Sequence, residues 1–156
     1  MTSSRTLRLA DYRPSSFVTD EVNLDFNIRE DHTVATSKVV YRRNADPQSA
    51  GQNATALVLN AQNPNPAGKS YVRKVTVNGV TLTEPQGYVF DQENETLTIP
   101  VDPAADNIKV EIETYLEPQN NAKLEGLYQS DNCITTQCES EGFRRITPFL
   151  DRPDVM

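Results

Sequence analysis

This sequence predicts an all-β fold, an antiparallel sandwich or saddle-like pair of sheets made of many short strands. Apolar residues recur with period two, not at helical spacing, and turn residues interrupt the chain every few positions. Hydrophobic residues make up 37% of the 156, and with six glycines added the share stays below the ~45–50% apolar content of an average domain. A chain of this length is about one domain and buries roughly two-thirds of its unfolded surface without staples. The low apolar share therefore points to a thin, sheet-rich body, and the strand patterning argues against disorder.

The clearest strand is Val22-Asn23-Leu24-Asp25-Phe26-Asn27-Ile28, where strict alternation puts Val22, Leu24, Phe26 and Ile28 on one face. Arg29 to His32 is a short polar loop, and residues 34–41 return as the second arm of a hairpin. Residues 44–51 form a turn-rich loop, 56–59 a short buried strand, and Asn63-Pro64-Asn65-Pro66-Ala67-Gly68 a second break. Residues 71–77 and 80–82 flank Asn78-Gly79, a strong tight-turn signal. Residues 88–90, 96–99 and 108–115 complete the strands. No long helix is expected before residue 150, and Asp151-Arg152-Pro153-Asp154 suits a turn or a helix start.

The balance of 15 basic and 22 acidic residues, net −7, repels phosphate backbones and disfavours a nucleic-acid partner. No run of 18 apolar residues exists to span a bilayer, and the first ten residues lack a signal-peptide core. A cytoplasmic location is the resulting expectation. Cys133 and Cys138 enclose Ile-Thr-Thr-Gln. A disulfide across that loop and a reduced pair are both compatible with the spacing, and a cytosolic setting favours the reduced pair. Structural zinc takes four Cys or His ligands, and the only histidine, His32, is remote in sequence and is expected in a loop. Cys138, between Gln137 and Glu139, is expected to pack inward, on the face opposite theirs if this stretch is a strand.

Residues 124–156 are denser in polar groups than the rest, with Gln137, Glu139, Glu141, Arg144, Arg145, Asp151 and Arg152. Composition alone suggests a loop of solvated ion pairs. The segments Thr136-Gln137-Cys138-Glu139, Arg144 or Arg145, and Phe149-Leu150-Asp151-Arg152-Pro153, however, resemble the end of the amino-terminal domain of the M1 family, the gluzincin zinc aminopeptidases. Leu124 to Tyr128, Cys138 to Arg144 and the opening Asp11-Tyr12-Arg13-Pro14 are similar to the bacterial aminopeptidase N branch in particular. The combination is specific, whereas Thr-Gln-x-Glu alone is weak. Residues 45–115 share only a strand pattern of similar length.

The resemblance implies residues 1–15 as an N-terminal arm and 16–156 as the β-sandwich domain of a longer enzyme, cut before its catalytic zinc domain. It implies two substrate-binding residues. Glu139 would help bind the α-amino group of a peptide with a free N-terminus, and Gln137 would line the pocket for the first side chain. A carboxylate accepts charge-assisted hydrogen bonds from an ammonium, and two unit charges 4 Å apart attract by about 4 kcal/mol at an effective dielectric of 20, before desolvation. Relatives processing leukotriene epoxides are similar to Thr-Gln-x-Gln here, so Glu139 favours an aminopeptidase.

The family's His-Glu-x-x-His motif needs two histidines, and its Gly-x-Met-Glu-Asn segment is also missing, since the methionines are Met1 and Met156. The catalytic residues and zinc ligands are therefore expected in the full-length enzyme beyond this chain, which alone should be inactive. The partners implied are the peptide substrate and the catalytic domain of the same chain. An isolated fragment should expose the face bearing residues 124–150 and self-associate through it. A stand-alone β-sandwich module binding carbohydrate or protein is the alternative from a different class.

Overall fold

The computed structural model describes residues 12–65 and 71–155, with only the backbone of Gln52. Most of the expected arm, the Pro66–Gly68 part of the second break, Asp11 and Met156 lie outside the described residues. Ten strands are described: β1 (Phe17–Ile28), β2 (Thr33–Arg43), β3 (Ala56–Asn60), β4 (Val72–Val77), β5 (Val80–Leu82), β6 (Val89–Asp91), β7 (Thr96–Pro100), β8 (Asn107–Leu116), β9 (Gly126–Ser130) and β10 (Cys133–Gln137). They form a five-stranded sheet ordered β1-β2-β8-β4-β5, a three-stranded sheet β3-β7-β6 and a two-stranded ribbon β9-β10. All described pairs are antiparallel, and the only helical pieces described are single 3₁₀ turns.

Local chemistry accounts for most of these boundaries. Asn78 and Gly79 both take left-handed backbone (φ 50° and 82°), so β4 and β5 close through a two-residue turn with Val77 opposite Val80. The Arg29 N–H donates to the His32 carbonyl at 2.8 Å and closes the β1–β2 loop. In β8 the alternation is carried through, with Ile108, Val110 and Ile112 inward and Lys109 outward. Across the core, Leu57 and Leu59 of β3 and Leu97 and Ile99 of β7 are fully buried, and each such side chain contributes about 2 kcal/mol by leaving water.

β1 departs from the expected pattern. It begins at Phe17, and a bulge shifts its register between Thr19 and Glu21. Val22, Leu24, Phe26 and Ile28 do share a face, the core-side face, yet all four remain exposed. Alternation set the face, but the three-stranded sheet does not extend over this edge.

At one end of the sandwich a buried cation ties three segments together. Arg43 Nε donates to Ala105 O (2.9 Å), Nη1 to Gly51 O (2.6 Å) and Ala54 O (2.9 Å), and Nη2 to Asp102 O (2.9 Å). The guanidinium also lies 5.3 Å from the Phe17 ring centroid. Four carbonyls thus replace its lost hydration. Arg43→Met should lower the free energy of unfolding by about 3 kcal/mol, because charged hydrogen bonds are lost and buried acceptors are orphaned. Arg42→Met, on the exposed side and paired with Asp20 at 3.1 Å, should cost less than about 1 kcal/mol. Urea unfolding of the two variants checks the contrast.

Candidate functional site

The polar C-terminal stretch contains the ribbon that sequence reasoning missed. Leu127 to Ser130 and Cys133 to Thr136 are strand-forming runs on either side of Asp131-Asn132, and Asp131 adopts left-handed backbone (φ 51°). An Asp-Asn pair between two β runs was the available signal. β10 runs outward-facing along its length and ends at Gln137, whose side chain is exposed.

The chain then reverses sharply. The Gly142 N–H donates to Cys138 O at 3.0 Å, closing the turn that carries Glu139. A Cβ at position 142 would lie 2.6 Å from both Gln137 O and Cys138 Cα, so only glycine permits this close return. Glu141 supplies the left-handed residue (φ 65°). Gln137 and Glu139 are held at the two sides of this turn, with Gln137 Nε2 3.5 Å from Glu139 O, at the limit of a hydrogen bond.

Arg144 anchors the turn from behind. Its Nε donates to Asp151 Oδ2 (2.9 Å), its Nη2 to Asp151 O (2.7 Å), and its backbone N–H to the same carboxylate (3.2 Å). Glu141 adds a contact at 3.4 Å. Arg145 turns the other way and pairs with Glu125 at 2.6 Å. Arg152 pairs with Asp154 at 2.8 Å, and the Tyr12 hydroxyl donates to the same carboxylate at 2.9 Å.

The neighbouring carboxylates are thus each matched to a cation. Among the described residues, the Glu139 carboxylate makes no ion pair or hydrogen bond. It is exposed and borders an open depression of about 300 Å³ with Cys138, Glu141, Asp151 and Arg152.

The donor set does not suit zinc. Among the described residues no three His, Cys, Asp or Glu side chains gather to hold a metal. His32 sits in the expected loop, stacked on Tyr115 at 5.0 Å and 2.7 Å from Asp31. Cys133 is exposed, and Cys138 is half-buried against the core, as its inward placement anticipated. β10 separates them by roughly 17 Å at strand rise, beyond the ~7 Å Cα limit for a disulfide, so both thiols are free.

A family profile described as the peptidase M1 N-terminal domain matches residues 14–156. The chain belongs to that family. This M1 N-terminal domain is 37% identical over 148 residues to an aminopeptidase N of Haemophilus influenzae, covering 94% of the chain and 15% of the relative. To aminopeptidase N of Escherichia coli it is 32% identical, over 94% of the chain and 15% of that protein. The fold of the M1 N-terminal domain recurs in the crystal structure of Legionella pneumophila aminopeptidase A in complex with aspartic acid (TM-score 0.79, 24% identity, 95% of this chain and 16% of that one). It recurs also in native yeast LTA4 hydrolase (TM-score 0.64, 15% identity, 97% and 24%). The chain therefore spans about a sixth of the aminopeptidases it matches.

The hollow on the outer face of the five-stranded sheet, bordered by Glu21, Lys38, Val40, Lys109 and Glu111, is lined by no aromatic ring on which a sugar could stack. No helix among the described residues is long and apolar enough to cross a membrane.

Two outcomes follow from this geometry. Burial, and then the Asp151 charge, push the Cys138 thiol above its usual range, so its thiolate fraction at pH 8 is depressed. Iodoacetamide at that pH should alkylate Cys133 at least tenfold faster, and mass spectrometry of the two peptides reads the ratio. Hydrogen bonds from Arg152 and then Tyr12 hold the Asp154 carboxyl below its usual range against desolvation. Its folded value is depressed, so the contact is intact above the ordinary carboxylate range and is lost as pH falls through the lowered value. The Tyr12 ring resonances should shift toward random-coil positions on acidification, and Asp154→Asn should produce the same shift at neutral pH.

Proposed function

We propose that this domain is the scaffold and substrate anchor of a zinc-dependent aminopeptidase that removes N-terminal residues from peptides. The observation that carries the reading is the Glu139 carboxylate, left unmatched at the rim of an open depression while Glu125, Glu141, Asp151 and Asp154 are each tied to an arginine. An acceptor-only group held on a closed turn suits a compact cation with three donors, the α-ammonium of a peptide. Gln137 lies on the other side of the turn and presents an amide to the first side chain. Aminopeptidase N relatives at 32–37% identity support the same assignment.

In this reading residues 1–15 are an arm and 16–156 the sandwich domain. The zinc ligands and the residues that cleave the peptide bond belong to a catalytic domain of the same polypeptide, against which the face bearing residues 124–150 packs. Detached from that domain, the same face is a site of self-association. The enzyme acts in the cytoplasm. When bound in the catalytic domain, zinc would supply Lewis-acid activation of water. This domain's own part is to orient the amino end of the substrate and so restrict cleavage to free N-termini.

The test uses the complete polypeptide encoded by the gene. Glu139→Ala should lower kcat/KM for an aminoacyl anilide on the order of 100-fold, a loss of the size expected for a charge-assisted contact in a partly desolvated cleft. Glu139→Gln should fall between the two, because it keeps the acceptor and loses the charge. Zinc content should not change. Unaltered turnover in both variants would remove Glu139 from the substrate site.

A further inference from the structure

The anchor carboxylate has a cation for a neighbour. Glu139, Glu141, Asp151 and Arg152 line the same depression of about 300 Å³, and Arg152 is the only basic residue among the described ones that do. Glu141 and Asp151 are already held by Arg144 (3.4 and 2.9 Å), whereas Glu139 is held by no cation. Arginine is always charged and carries five donors on a long side chain. Left free, Arg152 would pair with Glu139, and that pair would take the place of a substrate ammonium.

The structure gives Arg152 a different partner. Its Nε donates to Asp154 Oδ1 and its Nη2 to Asp154 Oδ2, both at 2.8 Å. Two charge-assisted bonds from one guanidinium to one carboxylate fix its plane as well as its position. Nη2 also donates to Arg13 O at 2.8 Å, so three of the five donors are committed. Asp154 is itself held by the Tyr12 hydroxyl, which donates to Oδ2 at 2.9 Å.

Fastening residues 12 and 13 to the end of the chain would account for the Tyr12 and Arg13 contacts. It would not account for placing the clamped arginine at the rim of the depression that bears the unmatched carboxylate.

We propose that Asp154 is a positioning residue for the aminopeptidase reaction, holding Arg152 away from Glu139 so that the anchor stays open to the α-ammonium of the peptide. This role rests on the anchoring role of Glu139. Without Asp154, Arg152 and the substrate ammonium compete for one carboxylate. An internal competitor lowers the fraction of binding-competent enzyme, which raises KM in proportion and leaves kcat at saturation unchanged.

Steady-state kinetics of the complete polypeptide on an aminoacyl anilide tests this. Asp154→Asn should raise KM about fivefold, the strength of a good exposed ion pair, with kcat unchanged. Asp154→Glu keeps the carboxylate and should stay near the wild-type KM. Adding Arg152→Gln to Asp154→Asn removes the competitor and should bring KM back to near wild type. A pair that only fastened residues 12 and 13 would not be restored this way, since the second substitution cuts a further tie. In a Glu139→Ala background, Asp154→Asn should have no additional effect on KM. Should Asp154→Asn fail to fold, Arg152→Lys takes its place. It keeps the charge, loses the two-point grip on Asp154, and should raise KM more than Arg152→Gln does.

An unchanged KM in Asp154→Asn, a loss confined to kcat, no restoration by Arg152→Gln, or equal KM in Arg152→Lys and Arg152→Gln overturns the role of Asp154 while Glu139→Ala still impairs turnover. If Glu139→Ala is itself silent, the anchor has failed and the role of Asp154 falls with it. The Glu139→Ala variant therefore tells the two failures apart.

Discussion

The segment from Arg144 to Leu150 passes between the sheets, and its backbone polar groups are satisfied by both of them. Arg144 O accepts from the Tyr71 hydroxyl (2.7 Å) and the Gln62 N–H (3.0 Å), and Ile146 O accepts from Thr114 Oγ1 (2.7 Å). Thr147 meets Ser37 hydroxyl to hydroxyl at 2.7 Å, and Phe149 bridges to Asn60. Buried backbone groups without partners would each cost about 1–3 kcal/mol. These bonds therefore allow a non-regular strap to run through an apolar interior. Burial also keeps the Tyr71 phenol protonated, and hence a donor, across the working pH range.

The turn bearing Gln137 and Glu139 is positioned through this strap. Arg144 belongs to the strap by its carbonyl and to the turn by its guanidinium, which grips Asp151 and reaches Glu141. Gly142 closes the turn against the end of β10. The arrangement makes Glu139 an exposed carboxylate on a constrained backbone, which lowers the entropy lost on meeting a ligand. The same logic of rigid support recurs at Arg43, which binds the β2–β3 and β7–β8 loops through their carbonyls.

Much of the fold was legible because strand periodicity and turn chemistry are local. Asn78-Gly79 requires left-handed backbone, and so marks its hairpin in any context. β2, β3, β7 and β8 lie within a residue or two of their expected spans, since β-branched and aromatic residues alternate in them. The β9–β10 ribbon was not recognised. Its strands carry Gln, Ser and Thr and bury little, so periodicity had no amplitude there. The structural role of Arg43 was equally hidden, because an arginine at the end of a strand is usually solvated and its acceptors come from residues 51 to 105.

By itself the sequence determined the all-β class, most strands, the M1 resemblance, and the lack of a two-histidine zinc motif in this chain. Each of these depends on residue identity or short-range spacing. Tertiary structure alone decided that Cys133 and Cys138 are held too far apart to bond, that Glu139 is left unmatched while its neighbours pair, and that the apolar face of β1 lies uncovered. Those outcomes depend on which groups distant in sequence come within a few ångströms, and hydrogen bonding, ion pairing and burial all fall off over that distance.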